Sequence, residues 1–216
     1  MKNLPVYIIA LFPAVYASDY TRGETYSVEI GAVSNIALNG AYKEVEDAPH
    51  APKINMNGAD LSLTLQVEER HKLLFRVGYM AGSETVTDTL NWYEGYPLSY
   101  SLQGDLRTFY FMPGYRYEYP VTEKTLVYLG GNVGLASAHA DVRLTFHPSS
   151  ITEKYKLRDT DFCFSAELGV RQKVSEHISV YATVTASKIM AKPSYKDIEL
   201  AEQTYIGLRM GVSIGF

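Results

Sequence analysis

The chain ends in Tyr205-Ile-Gly-Leu-Arg-Met-Gly-Val-Ser-Ile-Gly-Phe216, where apolar side chains alternate strictly with small or polar ones. One face carries Ile206, Leu208, Met210, Val212, Ile214 and Phe216, and the other carries Tyr205, Gly207, Arg209, Gly211, Ser213 and Gly215. Such alternation predicts a β-strand with one face against an apolar medium. Glycine weakens a strand that lies against water, but it suits a crowded barrel interior where small residues lie beside large ones. We therefore expect the apolar face to contact lipid and the glycine-bearing face to line a packed interior.

The composition agrees with a membrane barrel. The 216 residues carry a formal net charge of −4, which argues against a nucleic-acid partner because such proteins present basic surfaces. The chain contains 18 Tyr and 16 Gly but a single Trp, and a membrane barrel keeps such moderate hydropathy because half of its strand positions are polar. Cys163 is the only cysteine, so an internal disulfide is impossible.

The N-terminus has the features of a secretory signal peptide. Lys2 precedes an apolar run from Leu4 to Val15, and Ala17 precedes a plausible cleavage point. The run is too short to span a membrane as a helix, which requires about 18 apolar residues. We expect a signal peptide over residues 1–17 and a barrel domain over residues 18–216. The alternative is a buried N-terminal strand.

The alternation recurs along the whole chain. It is found in seven further segments, around residues 26–38, 59–67, 73–81, 109–119, 127–135, 162–170 and 178–186. The connections between the eight segments are long and short in turn, with residues 83–104 and 137–160 among the long ones. Their apolar faces carry no Asp, Glu or Lys, and Arg107 is the only cation on them. This pattern predicts an all-β fold, an eight-stranded antiparallel up-and-down transmembrane β-barrel with both termini at the periplasmic end.

Two positions depart from the regular pattern. Pro113 lies inside the fourth strand, where it predicts a bulge or a local break because proline has no N–H for the ladder. In the fifth strand the apolar residues change from odd to even numbers at Val142, Leu144 and Phe146. We interpret this change as a bulge that resets the register in a ribbon projecting above the membrane.

The strand count, the signal peptide and the terminal Val212-Ser-Ile-Gly-Phe216 resemble the small OmpA/OmpX-like outer-membrane barrels. The resemblance implies that Met210, Val212, Ile214 and Phe216 form the signal read by the barrel-assembly machinery. It implies location in the cell outer membrane of a Gram-negative-type bacterium, with outer-membrane lipids as partners. No peptidoglycan-binding domain follows the barrel, so the likeness is closer to OmpX and a cell-wall-tethering role is not expected.

The polar faces of the strands carry charges of both signs. The acids are Glu29, Asp60, Glu68, Glu118 and Glu167, and the bases are Arg76, Arg116, Arg171 and Arg209. An ion-selective pore would carry an excess of one sign, whereas near balance favours paired ions that fill the lumen. We expect a lumenal charge network, formed by Glu29, Arg76, Arg116, Glu167, Arg171 and Arg209. The alternative is separate hydrated charges in a wet lumen.

Two groups of residues bear on surface interaction and on catalysis. Trp92, Tyr93, Tyr96 and Tyr100 lie in a long connection, where aromatic side chains suit recognition of a host or matrix surface ligand. Ser137, His139 and Asp141 share one strand face, but residues spaced by two along a strand stand side by side rather than converge. The five histidines show no metal-ligand spacing, and we expect no metal, no cofactor and no enzymatic activity.

The sequence therefore favours an integral outer-membrane barrel with a largely filled lumen and a structural or adhesion-like role. A narrow low-conductance porin is the alternative, and a lipid A-modifying outer-membrane enzyme is a weaker one. The rival fold is a soluble lipocalin-like barrel with its apolar residues turned inward.

Overall fold

The computed structural model describes residues 25–39, 53–90, 98–147, 151–195 and 198–216. The predicted signal peptide, residues 1–17, lies outside this part of the chain. Three of the four predicted surface-loop aromatics, Trp92, Tyr93 and Tyr96, also lie outside it.

The described residues form ten strands, of which eight are long. The long strands are β1 (Tyr26–Ala37), β2 (Met56–Glu68), β3 (His71–Leu90), β4 (Leu98–Pro120), β5 (Thr125–His147), β6 (Ile151–Lys173), β7 (Ile178–Ile189) and β10 (Gln203–Gly215). The short strands β8 (Ser194–Tyr195) and β9 (Ile198–Glu199) pair with each other, and β8 also pairs with β6.

The eight long strands close into an antiparallel ring. Each pairs with its neighbour in sequence, β7 pairs with β10, and β10 returns to β1. The final strand joins the first in an unbroken register, from Ser27 opposite Gly215 to Ala37 opposite Tyr205. Closure removes free strand edges, as a sheet within a membrane requires. The predicted eight-stranded up-and-down barrel is confirmed.

The apolar faces of the strands point outward, as predicted. Leu129 and Leu168 are each 61% exposed, whereas the interior Glu29 and Arg116 are fully buried. A lipocalin-like barrel would show the reverse arrangement, so the rival soluble fold is wrong. The belt of outward apolar residues has a lipid environment as its natural partner.

The long hairpins extend further than the sequence suggested. The connection predicted over residues 83–104 is largely strand, because β3 runs to Leu90 and β4 begins at Leu98. The connection predicted over residues 137–160 is likewise strand over its described residues, 137–147 and 151–160. The β3–β4 and β5–β6 hairpins therefore continue beyond the rim formed by the shorter strands.

The predicted register reset in the fifth strand is wrong. Pairing between β5 and β6 keeps one register from Thr125 opposite Gln172 to Phe146 opposite Ile151. Even-numbered residues of β5 face inward throughout, and Val142 is buried like Tyr128. The apolar set changes parity because the outer face meets water beyond the bilayer, so apolar residues move to the inside.

Pro113 interrupts one of its two ladders. It lies opposite Phe75 of β3, but the pairing of β4 with β5 passes from Phe111–Leu135 to Gly114–Asn132 without it. The register is the same on both sides, so the predicted local break is present without a bulge. The irregularity in the described ladders lies between β2 and β3, at Gln66 and Glu68.

Interior glycines lie against interior tyrosines. A Cβ added to Gly169 would lie 2.4 Å from the Tyr128 ring, and one added to Gly78 would lie 2.3 Å from the Tyr110 ring. In each case the glycine and the tyrosine are cross-strand partners. Glycine on the inner face therefore provides the space that each ring occupies, which is the reason the sequence analysis gave for its position.

Candidate functional site

A charged layer crosses the barrel interior near the end that carries the short turns, and every long strand contributes to it. Its members are Glu29 (β1), Asp60 and Ser62 (β2), Lys72 and Arg76 (β3), Arg116 and Glu118 (β4), Tyr128 (β5), Glu167 and Arg171 (β6), Tyr181 (β7) and Arg209 (β10). All of these residues are buried. The strand alternation that places apolar side chains on the lipid face directs these polar side chains toward one another.

Glu29 is the centre of the charged layer. Its Oε1 accepts from Arg116 Nη1 at 2.5 Å and also from Arg171 Nη2. Its Oε2 accepts from Arg209 Nη1 at 3.1 Å and from Arg116 Nη2 at 3.2 Å. One carboxylate thus connects three guanidinium groups, and its own strand is tied to β4, β6 and β10.

Two further carboxylates extend the layer. Glu167 accepts from Arg76 Nη2 at 2.6 Å and from Arg116 Nε at 3.0 Å. Asp60 accepts from Arg209 Nε at 2.7 and 2.8 Å. Arg209 and Glu167 therefore belong to one network but are joined through Glu29 and Arg116 rather than by a direct bond.

Near the short turns, the charged layer contains a different set of residues from the one that the sequence predicts. Glu118 pairs with Lys72 at 2.9 Å and with Arg171 at 3.3 Å, so Lys72 is an interior base that the sequence analysis omitted. Glu68, expected inside, has an exposed side chain that pairs with His71 at 3.8 Å, because the irregularity at Gln66 and Glu68 ends the alternation there. Lys72 has the same even parity as Arg76, which places its side chain inside the barrel.

The numbers of acids and bases inside the barrel therefore differ from the predicted five acids and four bases. The buried acids among the described residues are Glu29, Asp60, Glu118 and Glu167, and the buried bases are Lys72, Arg76, Arg116, Arg171 and Arg209. Four acids against five bases is still near balance. Each of these side chains has an opposite charge within 4 Å, which is the condition for tolerating buried charge.

Two tyrosine rings cover the guanidinium groups. The Arg116 guanidinium carbon lies 4.2 Å from the centroid of the Tyr128 ring, and that of Arg209 lies 4.5 Å from the centroid of Tyr181. At these distances the ring face attracts the cation. The sequence analysis did not identify these contacts, which depend on the barrel bringing β4 and β5, or β10 and β7, together.

Above the charged layer the buried side chains are mostly apolar, with a few polar ones such as Asn35 and Thr108 among them. The buried cluster comprises Val33, Ala37, Ile54, Met56, Met80, Leu106, Tyr110, Met112, Ala136, Ala138, Ala140, Val142, Leu157, Cys163, Ile189, Ala191, Leu200 and Tyr205. We call it the apolar layer. It fills the loop-side half of the barrel, and it was not anticipated from the sequence.

The space remaining between the two layers is small. A cavity of about 40 Å³ is lined by Asp60, Arg76, Met80, Cys163 and Arg209, among others. Such a volume has room for a few water molecules. A wider recess of about 240 Å³ at the short-turn end is bounded by Lys72, Lys124 and Arg171, among others, and it shares Lys72 and Arg171 with the charged layer.

The polar residues considered for catalysis do not converge. Ser137 Oγ lies 3.4 Å from His139 Nε2, but Asp141 pairs with Arg107 at 3.6 Å on the same outer face. Ser137 also accepts a hydrogen bond from Thr160 Oγ1 at 3.0 Å. Within the described ranges, no cluster of His, Cys, Asp and Glu could hold a metal ion, and no helix is long and apolar enough to span a membrane.

The remaining residues singled out from the sequence have clear positions where they are described. Tyr100 lies within β4, opposite Phe146 of β5, so its assignment to a surface loop is wrong. Met210, Val212 and Phe216 are exposed on the lipid face. Ile214 shares that face and is partly exposed. Phe216 also stacks on Tyr26, with ring centroids 5.3 Å apart.

Outside the membrane, Glu202 forms a clip with two lysines. Its carboxylate lies 2.6 Å from Lys188 Nζ and 2.9 Å from Lys192 Nζ. The hydrogen bonds from Lys188 and then Lys192 lower the pKa of Glu202 to about 2. The Asn39 amide also donates to the Glu202 backbone carbonyl at 2.5 Å. This second contact connects the loop before β10 to the end of β1.

Comparison with known proteins gives a family and several structural neighbours. The sequence profile described as outer membrane protein beta-barrel domain matches residues 8–208. Neisserial surface protein A (NspA) is 12% identical, with 89% of this chain and 97% of that chain covered and a TM-score of 0.48. The outer membrane protease OmpT of Escherichia coli is 9% identical, with 88% and 96% covered and a TM-score of 0.47.

A further neighbour is Ail, the attachment invasion locus protein of Yersinia pestis, in complex with the heparin analogue sucrose octasulfate. It is 12% identical, with 87% of this chain and 97% of that chain covered and a TM-score of 0.44. No curated protein sequence matches this chain.

Proposed function

We infer the function of this chain from the premise that it belongs to the outer membrane protein beta-barrel domain family. It is an integral β-barrel protein of the bacterial outer membrane, embedded in outer-membrane lipids. The proposed role is structural or surface-interactive, in the manner of an adhesin, with a lumen that is filled rather than open.

The observation that carries the proposal is the stacking of two different layers inside the barrel. The charged layer ties opposite walls together through Glu29, and most of the side chains buried above it are apolar and do not favour a hydrated ion. Conduction needs sites that bind an ion weakly and release it along a continuous path. The cavity of about 40 Å³ between the layers offers no such path.

A planar-bilayer recording tests the filled lumen. The purified chain, refolded and inserted at low density, should give no regular conductance steps over a wide voltage range. Regular steps that scale with the number of inserted molecules would favour the alternative of a narrow porin. Heat-modifiable mobility in detergent confirms that the inserted protein is folded.

The surface-interactive part of the proposal concerns the connection between β3 and β4. Residues 91–97 include Trp92, Tyr93 and Tyr96, and aromatic side chains at such a position suit recognition. Replacing only residues 91–97 by a Gly-Ser linker leaves β3 and β4 intact. Binding of whole cells to host or matrix surfaces should then be lost, and unchanged binding would argue against the adhesin role.

An enzymatic role is not part of the proposal. Asp141 is paired with Arg107 rather than placed behind His139, so the Ser137–His139 pair has no orienting acid among its described contacts. A lipid A deacylation assay on the wild type and on His139→Ala tests this directly. Activity that disappears in the variant would support the lipid A-modifying alternative.

Two proposals concern biogenesis. We propose that cleavage after Ala17 removes residues 1–17 as a signal peptide and leaves 18–216 as the mature barrel domain. N-terminal sequencing of protein from outer membranes should begin at Ser18. We also propose that Met210, Val212, Ile214 and Phe216 act as the signal for the barrel-assembly machinery.

A further inference from the structure

A group of cations lies on the outside of the barrel just above the apolar belt. We call it the outer basic face, formed by Arg107 on β4, His139 and Arg143 on β5, and Lys154, Lys156 and Arg158 on β6. All six side chains are exposed. They share the outward side with the lipid-facing residues Phe109, Leu135 and Phe162, which lie two to four residues closer to the short-turn end.

The strand register arranges these cations as a compact grid. Arg107 lies opposite His139, which lies opposite Arg158 on the next strand. Two residues further along β5, Asp141 lies opposite Lys156, and four residues further along, Arg143 lies opposite Lys154. Adjacent strands are about 5 Å apart and alternate residues about 7 Å apart, so neighbouring cations are close enough to bind one multiply charged group together.

The outer basic face carries a surplus of positive charge. Its five Lys and Arg side chains share the surface with two acids, Asp105 and Asp141. Asp141 pairs with Arg107. No acidic side chain among the described residues lies within salt-bridge distance of Arg143, Lys154, Lys156 or Arg158. These four cations are available to a ligand.

The surplus lies on one side of the barrel. The outward cation near the loop end of β7 is Lys188, which lies opposite Phe164 of β6, and its Nζ lies 2.6 Å from Glu202. On β3 the outward residues beyond the belt are Ser83, Thr85 and Thr87. Solubility of the extended hairpins would be served by charges of either sign, so the cationic bias on β4 to β6 calls for an anionic partner.

The level of the outer basic face in the membrane indicates which anionic partner it meets. The short turns and the chain ends mark the periplasmic side, so the outer basic face lies at the level of the outer-leaflet headgroups. We propose that it binds the phosphorylated saccharide headgroup of an outer-leaflet lipid, with the acyl chains against Phe109, Leu135 and Phe162. Guanidinium and ammonium groups are the side chains best suited to phosphate.

The proposal is tested by lipid binding to the refolded mature chain in detergent. The probes are bisphosphorylated lipid A and the same lipid with its phosphates removed. Lys154→Gln combined with Lys156→Gln should weaken binding of the bisphosphorylated probe by roughly tenfold, the equivalent of about one charge-assisted hydrogen bond. Binding of the dephosphorylated probe should be weak and unaffected by the substitutions.

A matched control removes the same charge at the other end. Lys124→Gln combined with Lys173→Gln changes two exposed lysines near the short turns and should leave binding of bisphosphorylated lipid A unchanged. Both double variants should keep the heat-modifiable mobility of the wild type. If both double variants lost the same amount of lipid A binding, the loss would follow from the change in net charge alone, and the proposal would be overturned.

A third probe separates a lipid from a soluble polyanion. If the Lys154/Lys156 variant loses binding of a sulfated oligosaccharide but retains bisphosphorylated lipid A, the outer basic face serves a glycan instead and the proposal is wrong. The inference rests on the orientation of the barrel in the membrane. It is independent of conduction and of the residues 91–97, so its failure is distinguishable from failure of the proposed function.

Discussion

Arg116 on β4 and Glu29 on β1 form an ion pair across the barrel, with Arg116 Nη1 2.5 Å from Glu29 Oε1 and both side chains fully buried. The two strands are separated by β2 and β3 in the ring, so the pair connects walls that the backbone ladder does not join directly. Arg171 and Arg209 bind the same carboxylate, which makes Glu29 the residue on which most of the charged layer depends.

Replacing Glu29 by Gln should destabilise the barrel strongly. The change leaves three buried guanidinium groups without their shared anion, and breaking a buried pair in this way costs about 3–5 kcal/mol. Urea unfolding in lipid vesicles measures the loss. Glu68→Gln is the control, since its exposed side chain should contribute within about 0.5 kcal/mol. Similar losses in the two variants would contradict a structural charged layer.

Double-mutant cycles should resolve direct from indirect coupling within this layer. Arg209 Nε bonds to both oxygens of Asp60, whereas Arg209 reaches Glu167 only indirectly, through Glu29 and Arg116 or through Asp60 and Arg76. The coupling energy between Asp60 and Arg209 should therefore exceed that between Glu167 and Arg209, and both should differ from zero. Zero coupling in both cycles would indicate separate hydrated charges.

Gly169→Ala should lower the free energy of unfolding by about 1–3 kcal/mol through overpacking. The new Cβ would lie 2.4 Å from the Tyr128 ring, which is held between Arg116 and the Thr183 hydroxyl and cannot easily move. Gly131→Ala is the matched control, because its Cβ would lie 3.8 Å from the nearest atom. Urea titration of both refolded variants gives the comparison, and equal stability would contradict the tight Gly169–Tyr128 contact.

Phe216→Ala should reduce the amount of folded protein in the outer membrane of cells, because it removes the proposed signal for assembly. Phe216 also stacks on Tyr26, and loss of such a pair costs about 0.5–1.5 kcal/mol beyond burial. Tyr26→Ala breaks the same stack but keeps the C-terminal aromatic. The heat-modifiable fraction in isolated outer membranes should fall in the first variant only; equal falls would mean that the stack matters rather than the signal.

Acid should loosen the clip around Glu202. Its pKa is held at about 2, below the ordinary range for Glu, by Lys188 and Lys192. A lowered pKa in the folded state means that the stabilisation is complete above the ordinary value and is lost as the pH falls toward 2. The protection factors of the amides around Glu202, which correct for the intrinsic pH dependence of exchange, should fall over this interval in the wild type. In Glu202→Gln they should already be low near neutral pH, and identical pH profiles of the protection factors would contradict the clip.

The barrel itself was predictable from the sequence because one physical rule decides it. Strands with lipid on one side must alternate, and the alternation in residues 205–216 gave both the strand and the direction of its faces. The charged interior followed from the same parity. Its individual bonds did not, because a period of two places Arg209 inside without saying that Asp60 and Glu29 lie within reach.

The errors have a common physical origin at the ends of the membrane span. Val142 was expected after a bulge, but β5 runs straight and the solvent on its outer side changes from lipid to water. Tyr100 was assigned to a loop for the same reason, since strands were assumed to end with the bilayer. Glu68 was predicted inside and lies outside, because the irregularity at Gln66 and Glu68 is not visible in the sequence. Lys72 was missing from the predicted interior bases, although its parity matches that of Arg76.

The central claim is that the apolar faces contact lipid while the charged layer and the apolar layer fill the interior. Quenching by brominated acyl chains tests it most directly, with the native Trp92 replaced by Phe and a single Trp introduced at Leu129 or at Ala136. Leu129 faces outward and Ala136 is buried inside. We predict strong quenching at position 129 and little at position 136 in refolded vesicles. The reverse result would contradict the account.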